Sequence, residues 1–195
     1  FLEPTYSCII KTYFIMNILV TILVVVVGIV ILLLIAGLFL KKEFYIERSI
    51  VIHKSKQEVF NYLKILKNAE QFNKWVMTDP TMKKTLTGVD GTKGFVYAWD
   101  SANNNAGAGA QEIIDIKEGL RIDYELRFER PFKNTSYSSL ILTATAPEQT
   151  TVTWNFSGNL KYPINLLHQL LNLSKMLGKD MDTSLNHLKT ILEKK

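Results

Sequence analysis

A single cysteine, Cys8, is all the thiol chemistry this chain has. That excludes an intramolecular disulfide framework and every cysteine-rich zinc module. Five prolines and ten glycines among 195 residues are too few for collagen-like or linker character. The three histidines, His53, His168 and His187, stand far apart and show no metal-ligand spacing. No Gly-x-Ser-x-Gly elbow is present. Charged residues amount to 21%, too many for a multi-span membrane protein, while 47% hydrophobic residues exclude a disordered chain. The length allows one domain plus an appendage, not two full domains.

What is abundant is apolar sequence in one block. Ile18 to Leu40 reads ILVTILVVVVGIVILLLIAGLFL, with no charge and one hydroxyl, Thr21. As a helix it spans about 34 Å at 1.5 Å per residue, enough for a hydrocarbon core of roughly 30 Å. Its β-branched content favours a strand in water, but a lone strand in lipid leaves its backbone groups unpaired, so a helix is predicted. A signal peptide is the rival reading. Its apolar region is usually about 7–15 residues and ends at a small-x-small site; this run is longer, ends at Lys41-Lys42, and offers only Ala36-Gly37. The reading is an uncleaved, single-pass anchor. Only Lys11 precedes it among basic residues, whereas Lys41, Lys42, Arg48, Lys54 and Lys56 follow, which places the C-terminal part in the cytoplasm. Met16-Asn17 directly precedes the span, so residues 1–15 are read as an upstream extension, and residues 1–17 as a tail. Gly28 and Gly37 are too widely separated for a small-xxx-small helix pair.

The net charge of +5 lies wholly in residues 41–195, because Lys11 and Glu3 cancel before them. The charges are interspersed and no basic block alternates with aromatics, so nucleic acid is not an expected partner. A mildly basic domain beside anionic headgroups is the simpler account.

The remaining sequence reads as one α+β domain. Glu43–His53 is a strand. Ser55 and Glu58 form a capping box for a helix over about 56–67, with Val59, Phe60, Leu63 and Leu66 at helical spacing. A second short helix covers Ala69–Trp75. Strands follow at 82–87, 94–100, 111–116, 120–129, 137–146 and 150–157, separated by turn residues, with a polar hairpin at 101–108 whose Asn103–Asn105 supply turn conformations. In 120–129, Ile122, Tyr124, Leu126 and Phe128 alternate with Arg121, Asp123, Glu125 and Arg127, giving one dry and one wet face. After Tyr162-Pro163 a stripe of Leu166, Leu170, Leu173, Leu177, Met181, Leu185, Leu188 and Leu192 predicts one long helix, with Gly178 as its candidate bend. Close hairpins imply an antiparallel sheet, and only the terminal helix is long enough to cover its concave face.

This order, with Glu47–His53 leading into Val59–Leu63, Asn73-Lys-Trp75, Asp79-Pro80 before Gly88, Gly94 with Trp99, Leu120–Phe128, Pro131-Phe132, Thr151–Phe156 and Leu185–Glu193, resembles the START-like (SRPBCC) superfamily. The subgroup it is most similar to is the bacterial polyketide cyclase/dehydrase and lipid-transport family. The resemblance covers residues 43–195. It implies a helix-grip fold: a curved antiparallel sheet of six or seven strands wrapped on a long C-terminal helix, with two short helices after the first strand. It also implies a pocket for lipids, sterols or polyketides. No catalytic motif carries over residue by residue, and no cofactor or metal is expected.

The candidate cavity residues are Tyr97, Trp99, Tyr124, Phe128, Trp154 and Phe156 on inward strand faces, with Met176 and Met181 on the facing helix as adaptable walls. Ordinary core packing is the competing account of the same rings. The histidines are read as helix-surface or satisfied, partly buried residues. Asp123 and Glu125 belong to the wet face. Glu112 and Asp115, three apart on a strand, point to opposite faces unless a bulge intervenes, and one of them facing the cavity is the alternative acid. The expected function is a membrane-tethered domain binding a hydrophobic small molecule or lipid, leaning away from catalysis. A regulatory or interaction module at the membrane and a cyclase/dehydrase-type enzyme are the alternatives, and no protein partner is indicated.

Overall fold

The computed structural model describes residues 3–103 and 106–194; the side chains of residues 3–15, Cys8 and Lys11 among them, and residues Asn104 and Asn105 lie outside the described residues. The chain packs as two compact units. One comprises the N-terminal helix and residues Lys161–Leu170, the other Lys42–Leu160 and the chain from Leu171 onward.

In the first unit, helix α1 covers Glu3–Phe39. Its stretch Met16–Phe39 is long and apolar enough to cross a membrane, and none of its most apolar window is buried by the rest of the protein. A short helix, α5 (Ile164–Leu170), joins it. The Asn165 side-chain amide donates to the carbonyl of Gly37 at 2.8 Å and to that of Leu40 at 3.3 Å.

The second unit is a seven-stranded antiparallel sheet: β1 (Glu43–Ile52), β2 (Lys83–Thr87), β3 (Val96–Asp100), β4 (Ala108–Lys117), β5 (Arg121–Arg130), β6 (Asn134–Ala146) and β7 (Gln149–Asn159). The spatial order is β1-β7-β6-β5-β4-β3-β2, so β1 and the short, lysine-bearing β2 are the edges. Between β1 and β2 come α2 (Lys56–Lys64), a 3₁₀ turn at Leu66–Asn68, α3 (Ala69–Phe72) and α4 (Lys74–Met77). Helix α6 (Leu173–Glu193) closes the fold. This is the helix-grip arrangement that the resemblance implies.

The helices after β1 are more broken than expected. The Ser55–Glu58 capping box is present, but α2 stops at Lys64. The Asp90 carboxylate takes the next free amides, Leu66 N–H at 2.8 Å and Lys67 N–H at 3.0 Å, and winds the chain into the 3₁₀ turn instead. The predicted 69–75 helix is cut at Asn73, whose side chain accepts the Trp75 N–H and starts α4.

The expected single helix over 163–194 is two helices. The break is at Asn172, with φ 48° and ψ 48°, a left-handed conformation that asparagine tolerates better than most residues. Gly178, the expected bend, sits buried inside α6. The leucine stripe divides accordingly. Met181, Leu185, Leu188 and Leu192 enter the sheet core with Val59, Phe60, Ile113, Ile122 and Val152. Leu166 packs instead on Gly37, and Leu170 is exposed.

Strand β4 contains a bulge. Ile113 pairs with Tyr124 but Asp115 pairs with Asp123, leaving Ile114 as the extra residue. Glu112, opposite Glu125, and Asp115 therefore share the outer face, correcting the expectation that they diverge. Neither is an acid on the concave side. Arg127 bridges Glu112 at 2.8 Å and Glu125 at 2.6 Å, and these two carboxylates hold its guanidinium above its ordinary pKa.

Candidate functional site

Strand registers define what lines the concave face, because residues paired across strands share a side. One end is solidly filled. Ile52, Val152, Leu142, Leu140, Ile122 and Ile113 are buried beneath α2 and the C-terminal half of α6. The other end is built from two successive cross-strand rows. The first runs Phe44, Gly158, Ser136, Leu126, Gln111, Tyr97, and the second Asn134, Phe128, Gly109, Trp99, Lys84. Phe44, Leu126, Gln111, Phe128, Trp99 and Lys84 all point inward and are only partly buried. Inward residues that stay partly exposed mark where the sheet is incompletely covered.

Aromatic rings frame this open end on two sides. On the β1/β7 side, the Phe44 and Phe156 rings meet tilted at 5.3 Å between centroids, while Trp75 from α4 meets Trp154 edge-on at 5.9 Å and Phe156 at 6.4 Å. On the β3/β5 side, Trp99 meets Phe128 edge-on at 5.9 Å. Between them lie small residues, Gly158, Ser136 and Gly109. Trp99 is pinned: its indole N–H donates to the Ala106 carbonyl at 3.0 Å, and its ring lies so close over Gly109 that a Cβ there would stand 2.9 Å away. Gly109 thus belongs to β4 and to the floor of the site.

A polar group borders the apolar lining. Glu70 of α3 accepts from the Tyr97 hydroxyl at 3.0 Å and pairs with Lys84 at 3.1 Å. Burial, and then the Glu70 carboxylate, push the Tyr97 phenol well above its ordinary pKa. Burial does the same to Tyr124. Both phenols therefore stay protonated at neutral pH and are not phenolate bases; the Tyr97 hydroxyl donates to Glu70.

The eight predicted cavity residues fall into three groups. Trp99, Phe128 and Phe156 are inward and partly buried. Tyr97, Tyr124, Trp154 and Met181 are inward and buried, with the Trp154 indole N–H donating to Ser138 Oγ at 2.7 Å. Met176 is 53% exposed on α6, away from the core residues of that helix, and is not a wall of this face. Phe44, Trp75, Leu126, Lys84 and Glu70 were absent from that set. For Phe44 and Leu126 the signal was strand phase alone; for Glu70 and Lys84 no pattern in the sequence links the two positions.

The histidines are dispersed. His53 Nδ1 meets Glu193 at 2.8 Å, tying the end of β1 to the end of α6. His187 Nδ1 lies 3.3 Å from the Phe72 carbonyl oxygen. His168 is buried in α5, where burial lowers its pKa. Among the described residues no group of three or more His, Cys, Asp or Glu side chains is placed to hold a metal ion.

Comparison with known proteins agrees with this geometry. Residues 43–193 match the family model described as polyketide cyclase / dehydrase and lipid transport. The chain belongs to this family. Its fold is similar to that of a Thermobifida fusca protein solved by solution NMR, at TM-score 0.57 and 16% identity, covering 74% of this chain and 90% of that one. It is also similar to XoxI from Bacillus cereus, at TM-score 0.55 and 14% identity over 76% of this chain and 94% of that one. The Aha1 dimer from Colwellia psychrerythraea matches at TM-score 0.52 and 14% identity, over 77% and 96%. No curated protein matches the sequence. As a polyketide cyclase/dehydrase-like, START-like chain, it carries a ligand-binding domain of the helix-grip class.

Proposed function

We propose that residues 41–195 bind a hydrophobic small molecule or lipid without transforming it, and that residues 18–40 hold this domain at a membrane, on the cytoplasmic side, behind a short tail of residues 1–17. The reading rests on one observation: an inward apolar and aromatic lining, formed by Phe44, Leu126, Phe128 and Trp99, that is only partly buried and is bordered by the Glu70–Lys84–Tyr97 group. An amphipathic ligand matches this pairing of an apolar surface with a few oriented polar atoms. A tether keeps such a site within reach of molecules dissolved in the bilayer, raising their effective concentration. The basic residues after the apolar run support the cytoplasmic orientation.

Catalysis is the weaker reading. The Tyr97 and Tyr124 phenols facing inward are held protonated, and the Glu70 carboxylate that borders the lining is already engaged by Lys84 and Tyr97.

The chain's three tryptophans, Trp75, Trp99 and Trp154, all lie at this face and provide an intrinsic reporter. Titration of the full chain in detergent with a dansyl-labelled fatty acid should give saturable energy transfer from tryptophan. Phe128→Asp should weaken it at least severalfold while leaving the far-UV circular dichroism spectrum unchanged. Absence of saturable transfer, together with native mass spectra free of co-purified lipid, would refute the binding reading.

A further inference from the structure

Helix α5 is short, and the protein leaves much of its apolar surface uncovered. Leu167 is 42% and Leu170 59% exposed, and Tyr162, just before the helix, is 38% exposed. Scattered surface leucines need no explanation by themselves. These differ because their height along α1 is fixed. Asn165, only 1% exposed, donates to the carbonyls of Gly37 and Leu40. Those carbonyls belong to the end of α1, where a helix has no partners of its own for them. Gly37 permits the approach: a Cβ there would stand 3.2 Å from Leu166 Cβ and 3.4 Å from the Tyr162 ring. Helix α5 is thus fastened to the last turn of the apolar run, immediately before Lys41.

We infer that α5 is an interfacial helix whose partner is the lipid surface itself, with Leu167 and Leu170 set among the acyl chains just below the headgroups. The inference rests on the reading of residues 18–40 as a membrane span. If that span crosses the hydrocarbon, its final turn lies at the hydrocarbon edge, and so does the helix bolted to it. Leu167 and Leu170 then add to the apolar surface of the span, which is itself uncovered by protein. The flanking residues suit that depth. Lys41 and Lys161 are exposed at the ends of the two apolar segments, where ammonium groups meet anionic headgroups. Tyr162 has the amphipathic ring typical of this zone. The Asn165 amide closes α1 carbonyls that water cannot reach easily at that level.

Depth-dependent quenching tests this on the full chain. In a Cys8→Ser background, single cysteines are introduced by Val27→Cys, Leu167→Cys and Leu170→Cys and labelled with an environment-sensitive fluorophore. The proteins are reconstituted in phosphatidylcholine/phosphatidylglycerol vesicles with nitroxide at a shallow or a deep acyl position. The expected result is that the labels at 167 and 170 are quenched about twofold more by the shallow nitroxide than by the deep one, while the label at 27 responds at least as strongly to the deep one. Quenching at 27 with none at 167 and 170 would overturn the interfacial assignment and leave the tether standing. No quenching at 27 would remove the tether, and the interfacial helix with it. Labels at 167 and 170 that are blue-shifted but insensitive to both nitroxides would point to a protein covering the face, and would also overturn the assignment.

Discussion

The Arg48 guanidinium of β1 lies directly on the backbone of Gly178 in α6; a Cβ added at Gly178 would stand 2.1 Å from Arg48 Nη2. Arg48 occupies the inward row of β1, between Ile46 and Ile50, and reaches Asp182 one turn further along α6 at 3.1 Å. A glycine inside a helix costs roughly 0.5–1 kcal/mol relative to alanine, so its presence here is explained by the space the guanidinium needs. In an Arg48→Ala background, Gly178→Ala should stabilise the protein by about that amount. With Arg48 present, the gain should vanish because the side chain is displaced from Asp182. Chemical denaturation of the four proteins of this cycle measures the coupling, and additive effects would contradict the contact.

The buried bond between the Trp154 indole and Ser138 gives a second test. Ser138→Ala leaves a buried N–H without its acceptor, which should destabilise by about 1–3 kcal/mol. Ser136→Ala should cost less, because the Asn134 amide that donates to it is partly exposed and can turn to water. Urea midpoints at constant slope would order the two.

Gly109 controls the position of Trp99. Gly109→Ala puts a methyl 2.5 Å from the Arg127 carbonyl oxygen and 2.9 Å from the indole ring, so the ring must lift off the β4 floor. We expect a shift in tryptophan emission and a weaker response to the dansyl-labelled fatty acid, with the sheet retained. An unchanged emission spectrum would mean that Trp99 is not seated on this glycine.

Acid sensitivity follows from two carboxylates. Asp79 accepts from the hydroxyls of Ser101 and Thr81, and Glu193 accepts from the His53 backbone N–H at 2.7 Å; each carboxyl is thereby held below its ordinary pKa. A group whose pKa is lower folded than unfolded contributes stability above the unfolded value and loses it as pH falls through the folded one. The melting temperature should therefore drop on acidification below about pH 4. Asp79→Asn and Glu193→Gln should each melt lower at neutral pH and show a shallower acid decline. A decline as steep as in the unaltered chain would dismiss both groups as its source.

The strand phases were legible because alternation survives in single sequences. Ile122, Tyr124 and Phe128 against Arg121, Asp123 and Arg127 leave one choice of dry face. The β4 bulge was not legible, because in Ile113-Ile114-Asp115-Ile116 nothing marks which isoleucine is extra; only the pairing with Asp123 decides it. The break at Asn172 was hidden for a related reason. Leu170, Leu173 and Leu177 keep helical spacing across it, so periodicity continues where the backbone does not. The Arg48 contact was not legible either, since its counterparts Gly178 and Asp182 lie far along the chain. Of the candidate site, the aromatic rows could be phased from the sequence. The Glu70–Lys84–Tyr97 group could not, because it is assembled from α3, β2 and β3 by folding alone.

The split of the C-terminal helical region changes the connectivity. The chain passes between its two compact units after Lys41, after Leu160 and again after Leu170, so the N-terminal unit is assembled from two separate stretches of chain. A protease nick at Lys41-Lys42 would sever the one peptide bond that joins the N-terminal helix to the rest of the chain, because the crossings after Leu160 and Leu170 both lie in the C-terminal fragment. The severed N-terminal helix would then be held to the other fragment only by the Asn165 hydrogen bonds and the packing of Leu166 at Gly37.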